Sequence, residues 1–163
     1  MYIDPINLSR ATFVSRPHRF AVTCGLAGEE ITAHLANPGR LSETLLPDTP
    51  LWISRSDDLK RKLRWSVVGA ERNGHPVLLD THLTNRIAGD LINSDRIPGL
   101  EGARVVGREV KQGHSRFDLV IQHGSTQRWV EVKSCTLFGN HIAAFPDAVT
   151  ERGRKHLNEL ALL

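Results

Sequence analysis

Between residues 19 and 80 the chain reads as short runs in which apolar and polar positions alternate, separated by turn signals. Alternation places every second side chain on one face, the mark of a half-buried strand. Residues 19–26 are a strand candidate closed by Ala27-Gly28, and residues 31–35 alternate until Asn37-Pro38-Gly39 stops them. Ser42 ahead of residues 43–46 predicts a single helical turn that Pro47 ends. Residues 51–54 and 65–71 follow as strands, and Asn73-Gly74 is a hairpin turn into residues 77–79. Five strands with one small inserted helix outline an OB-like β-barrel, with a sandwich of the same strands as the alternative.

Beyond residue 80 the period changes. Residues 85–93 set Ile87, Leu91 and Ile92 at helical spacing, with Asp90 at the side of the stripe, and Pro98-Gly99 ends the run. Three strand candidates follow, over residues 103–110, 117–122 and 128–137. Thr150 opens a last helix that is still apolar at Leu163 and has no stop signal, so the parent protein is expected to continue past it. Helix, three strands, helix predicts a second domain. The expected organisation is α+β, with a barrel over residues 1–80 and an α/β domain over residues 81–163.

Composition narrows the function classes. Hydrophobic residues make up 40% and charged residues 24% of the 163, as in ordinary globular proteins. No apolar run approaches the roughly 18 residues of a membrane span. The first twenty residues carry Arg10, Arg16, His18 and Arg19 without an apolar core, which argues against a signal peptide. Two cysteines, Cys24 and Cys135, stand far apart and fit a reducing cytoplasm rather than a disulfide framework or a zinc site. The net charge of +3 allows a polyanionic partner without requiring one. Each half is nearly balanced, so a nucleic-acid surface has to come from local clustering.

The candidate chemistry lies in Ser115-Arg116-Phe117-Asp118-Leu119-Val120-Ile121 and Trp129-Val130-Glu131-Val132-Lys133-Ser134. Phe117, Leu119 and Ile121 share one strand face, and Val130 and Val132 share one on the next. A two-residue turn at Gly124-Ser125 with both apolar faces on one side pairs Phe117 with Val132 and Asp118 with Glu131. Opposed carboxylates repel unless something neutralises them. A hard cation such as magnesium does so, with Lys133 two residues on to contact a phosphate or orient a water. On spacing alone the alternative is the solvated face of an amphipathic hairpin.

The acid, the Glu-x-Lys and a preceding helix with Asp90 resemble the PD-(D/E)xK nuclease superfamily. More specifically, the chain resembles the sugar fermentation stimulation protein family (SfsA). The resemblance lies in Arg16-Pro-His-Arg-Phe20, Ala33-His-Leu-Ala-Asn-Pro-Gly-Arg-Leu41, Thr84-Asn-Arg86, Ser115-Arg-Phe-Asp118, Val130-Glu-Val-Lys-Ser134 and Phe145-Pro-Asp-Ala-Val-Thr-Glu-Arg-Gly-Arg-Lys-His-Leu157. It implies an OB-like domain followed by a restriction-endonuclease-like domain that ends early here, and DNA binding without sequence specificity. It also implies a link to regulation of sugar (maltose-type) catabolic genes. Asp90 stands where similar sequences tend to carry Glu, which shortens its reach.

The expected site is therefore catalytic Asp118, Glu131 and Lys133, with Mg2+, or Mn2+ in its place, held by Asp90, Asp118 and Glu131. Arg16, Arg19, Phe20, His34 and Arg40 are candidates to line a barrel groove, with surface arginines around a core Phe20 as the alternative. Arg116, beside Asp118, and Arg152 and Arg154, which oppose the last helix's dipole unless a phosphate relieves them, complete the nucleic-acid candidates. The eight histidines show no zinc spacing. The expected function is a cytoplasmic metal-dependent nuclease on DNA, or RNA, without a membrane partner and with a dimer left open. The alternative is a non-catalytic DNA-binding regulator.

Overall fold

The computed structural model describes residues 8–139, 141–144 and 151–162. The chain divides into two compact units, Met1–His82 with Ser134–Pro146, and Leu83–Lys133 with Asp147–Leu163.

In the first unit, β1 (Leu8–His18), β2 (Ala21–Leu26), β3 (Glu29–Leu35), β4 (Pro50–Arg55) and β5 (Trp65–Arg72) run in the order β3-β2-β1-β4-β5. A parallel pairing of β3 with β5, Ala33 opposite Trp65 through Leu35 opposite Val67, closes the ring. The result is the expected five-stranded OB-like barrel, with one exchange of strands. β6 (His75–Leu78) pairs only with β5 and lies outside the ring, while β1, which the sequence reading left out, takes its place. β1 escaped notice because Arg10 and Arg16 interrupt its apolar content. Its inward positions Ala11 and Phe13 are buried, whereas Arg10 faces outward, bonded to Glu71 at 2.6 Å and 5.3 Å from the Trp52 ring.

The two tight hairpins form where glycine permits positive φ. Ala27-Gly28 joins β2 to β3 and Asn73-Gly74 joins β5 to β6, with all four residues at positive φ. The expected single helical turn is present, with Thr44 and Leu45 N–H both donating to Leu41 O. Val22, Cys24, Leu35, Leu51, Ile53, Val67 and Leu79 fill the barrel. Each large side chain there contributes roughly 1.5–3 kcal/mol of burial. β10 (Leu137–Phe138) pairs with β11 (Ala143–Ala144), Phe138 packs on this core, and Arg72 Nη1 donates to Phe138 O at 3.1 Å.

The second unit begins within α1 (Thr81–Asn93), which starts four residues earlier than expected because Asp80 caps it, accepting the His82 N–H at 2.9 Å. β7 (Arg104–Gln112), β8 (Ser115–His123) and β9 (Thr126–Val130) form an antiparallel meander with β8 central. Ile92, Ala103, Leu119 and Ile121 make its core, with Ala88, Leu100, Val105, Val130 and Val132 packed around them. α2 (Glu151–Leu160) is the last described element, and the expected opening at Thr150 lies outside the described residues. Among the described residues no helix is long and apolar enough to cross a membrane.

Candidate active site

β8 and β9 adopt the register expected from the turn at Gly124-Ser125. Leu119 opposes Val130 and Ile121 opposes Arg128, and the next step along the same register sets Asp118 against Glu131. The ladder stops there for a visible reason. Val132 N–H, which a continued strand would use or leave to solvent, donates instead to Asp118 Oδ2 at 2.7 Å. The strand expected over residues 128–137 therefore ends at Val130, and Glu131 to Lys133 turn along the Asp118 carboxylate.

The other edge of β8 adds a residue the sequence reading missed. β7 carries a one-residue bulge between Val105 and Gly107. Beyond it Arg108 opposes Leu119 and Val110 opposes Phe117, so Glu109 falls opposite Asp118. Without the bulge the period of two would send Glu109 to the other face. Glu109 has φ +50, a conformation that costs a non-glycine residue strain. Glu109 on β7, Asp118 on β8 and Glu131 just past β9 thus bring three acids together, with Lys111 and Arg116 paired in the next row of β7 and β8.

Asn85 of α1 ties two of these acids together. Its Nδ2 donates to Asp118 Oδ1 at 2.7 Å and to Glu109 Oε1 at 3.2 Å. Arg108 supports α1 in turn, donating from Nη1 to Asn85 O at 3.2 Å, with Nη2 3.6 Å from Asp90 Oδ1. Its guanidinium lies against buried Gly89, where a Cβ would meet it at 2.6 Å. Asn85 belongs to the Thr84-Asn-Arg86 stretch, which was a usable signal, but nothing local marks Arg108 or Glu109.

Lys133 Nζ stands 2.5 Å from Glu131 Oε1, with the Glu131 side chain 8% exposed and that of Lys133 51% exposed. Burial pushes the Asp118 carboxyl above the usual range, and nearby Glu131 and Glu109 push the same way. The Val132 and Asn85 hydrogen bonds oppose them. Asp118, Glu131 and Lys133 are thus brought together. Asp90 is engaged by Arg108, and among the described residues no three His, Cys, Asp or Glu converge as a metal-ligand group. The donor chemistry of Asp118 and Glu131 nonetheless fits a hard divalent cation, which would relieve their repulsion.

The nucleic-acid candidates fall in several places. Arg16 is committed to the protein itself, its Nη atoms donating to the carbonyls of Arg19, Asn37, Gly39 and Arg40 at 2.5–3.0 Å. It shapes the loop after β3, where Asn37 Oδ1 also accepts the Gly39 N–H at 2.9 Å. Phe20 and His34 line a concave face of the barrel unit, and the Arg19 guanidinium lies 6.0 Å from the Phe20 ring. Arg40, Arg116 and Arg154 are exposed, and the Arg152 side chain lies outside the described residues.

A family model described as the SfsA N-terminal OB domain matches residues 14–79, and one described as the sugar fermentation stimulation protein RE domain matches residues 82–163. A sugar fermentation stimulation protein homolog of Moorella thermoacetica is 42% identical over 98% of this chain and 69% of its own length. One of Methanothermobacter thermautotrophicus is 36% identical over 94% of this chain and 64% of its own. The solved structure of Pyrococcus furiosus SfsA in complex with Ca2+ is 30% identical, with a TM-score of 0.81, covering 100% of this chain and 69% of that one. The chain therefore spans about two thirds of the length of these relatives.

Proposed function

The chain belongs to the sugar fermentation stimulation protein family, and from that premise we propose that it binds nucleic acid and hydrolyses phosphodiester bonds with a divalent cation. The observation that carries this reading is the Glu131 carboxylate, one residue past the end of β9, near enough to Asp118 to raise its pKa, with Lys133 against Glu131. A cluster of three acids, Glu109 included, is costly in a protein with no cationic ligand to meet it. That a relative is solved with Ca2+ supports a hard divalent cation as that ligand, with Mg2+ the working ion and Mn2+ a substitute.

Asp118 and Glu131 would hold the cation. When bound, it supplies a Lewis acid for a phosphate oxygen and acidifies its water. The chain's own residues do the rest. Asn85 and the Val132 N–H fix both oxygens of Asp118, so the carboxylate is oriented before anything binds. Lys133 uses one N–H on Glu131 and keeps two donors for a non-bridging phosphate oxygen, a point charge where negative charge develops. Lys111 and Arg116 add positive charge in the next row of the sheet, suited to flanking phosphates. Asp90, 3.6 Å from Arg108 Nη2, helps to position α1.

The decisive assay compares wild type with Lys133→Ala on labelled single- and double-stranded DNA and RNA, with magnesium, manganese or chelator. Metal-dependent cleavage is expected, lost on substitution by about 100-fold or more, the usual scale for one charge-stabilising donor. Salt-sensitive binding without cleavage in any metal would leave a DNA-binding protein, of which regulation of sugar-catabolic genes is the natural reading.

A further inference from the structure

We propose that the concave face of the barrel unit is a groove selective for single-stranded nucleic acid, in which one unstacked base packs on the ring of Phe20. The inference rests on the nucleic-acid reading above and deepens it by naming the strand form.

The groove is a cavity of about 530 Å³ whose lining includes His18, Phe20, Thr32, His34, Arg61 and Lys62. Phe20 is 42% exposed, although a side chain of that kind gains most by burial. It sits in the short link between β1 and β2, and its backbone is fixed on both sides. Phe20 N–H donates to His18 Nδ1 at 3.2 Å, and Leu35 N–H donates to Phe20 O at 3.0 Å. The first of these bonds leaves Nε2 of neutral His18 as a hydrogen-bond donor. Two register shifts in β1, between Phe13 and Ser15 and between Ser15 and His18, precede this link. On the far side, Arg61 Nη2 is held by Ser66 Oγ at 3.2 Å, and the Asp58 carboxylate accepts the Lys60 N–H at 2.9 Å, so the cationic loop is ordered.

Three observations select the occupant. The lining carries two permanent cations and, among the described residues, no carboxylate, so an uncharged ligand would leave them without counter-charge. The concavity holds an exposed aromatic face, and only an unpaired base offers its own face to it, since a duplex hides those faces in its stack. The Arg19 guanidinium, 6.0 Å from the Phe20 ring, adds a further cation beside the platform. A duplex could meet the rim cations with its phosphates but would leave the Phe20 ring uncovered.

The test uses the full chain in chelator, so that nothing is cut, and reads fluorescence anisotropy of a labelled oligothymidylate and of a hairpin duplex. The variants are Phe20→Ala, Phe20→Tyr and the double variant Arg61→Ala with Lys62→Ala, each checked for native circular dichroism. Tighter binding of the single strand is expected. Phe20→Ala should weaken it about tenfold or more, the scale of one lost base stack, with duplex binding unchanged and Phe20→Tyr restoring wild-type affinity. The double cation variant should lower the salt slope for the single strand by about 1.4, two phosphates at roughly 0.7 each. Equal loss on both strand forms, or a folded Phe20→Ala that binds the single strand like wild type, overturns this inference alone. Binding of neither form overturns the nucleic-acid reading with it.

Discussion

Both oxygens of the Asp118 carboxylate accept hydrogen bonds, yet burial and two neighbouring acids still hold its pKa above the usual range. An acid with a raised folded pKa costs stability above that pKa, and the cost fades as pH falls toward the ordinary carboxylate value. In chelator at neutral pH, Glu109→Gln, whose amide oxygen keeps the bond from Asn85 while one charge facing Asp118 is removed, should therefore melt slightly higher than wild type. Relief of directly opposed like charges is worth about 0.5 kcal/mol, or roughly 1–2 °C for a chain of this size. The gap should close on acidification below the ordinary carboxylate range. Added Ca2+ or Mn2+ should raise the melting temperature of wild type and leave that of Asp118→Ala unchanged. Differential scanning calorimetry across pH, with and without cation, reads both effects, and a wild type indifferent to either ion would remove Asp118 from any cation site.

At the scale of elements, two glycines with equally short approaches should behave in opposite ways. A Cβ at Gly69 in β5 would stand 2.7 Å from the Val77 carbonyl oxygen, which is backbone of the neighbouring strand and cannot move without breaking the β5–β6 pairing. Gly69→Ala should cost about 1–3 kcal/mol. A Cβ at Gly89 in α1 would meet the end of the Arg108 side chain, which can swing away. Gly89→Ala should be near neutral, because a helix gains roughly 0.8–1 kcal/mol on replacing glycine by alanine while it loses the Arg108 contacts. Urea unfolding of the two variants decides it, and similar losses in both would contradict the distinction. These elements also show what local pattern can reveal. The Asn73-Gly74 hairpin, the Gly124-Ser125 register and hence the nearness of Glu131 to Asp118 follow from residue type and period two. β1 was hidden by outward arginines. Glu109 was hidden by a bulge at Val106, which shifts the β7 register from Gly107 onward and leaves no mark in the sequence around Glu109 itself.

Across the whole molecule the two cysteines report on different surroundings. Cys24 lies fully buried in the barrel core, and burial pushes its thiol above the ordinary value. Cys135 is half-buried, its Sγ–H near the carbonyls of Leu137 and Ala144. In a native sample treated with a thiolate-selective reagent at mildly alkaline pH, Cys135 should label first, and Cys24 only when the barrel opens. Peptide mass mapping over a denaturant series would show Cys24 labelling rising with the unfolding of β1–β5. Prompt labelling of Cys24 in native buffer would mean the barrel is looser than its packing indicates.

The return of Ser134–Pro146 to the barrel unit also sets a timetable for synthesis. The ribosome releases all six strands β1–β6 well before Phe138, the side chain that packs on their core and whose carbonyl Arg72 holds. At about 5–20 residues per second, the intervening helix and meander take several seconds to emerge. Throughout that interval the nascent barrel presents an apolar spot awaiting its cover. A chaperone that shields such spots on emerging chains would have its window of action there, closing when Phe138 arrives.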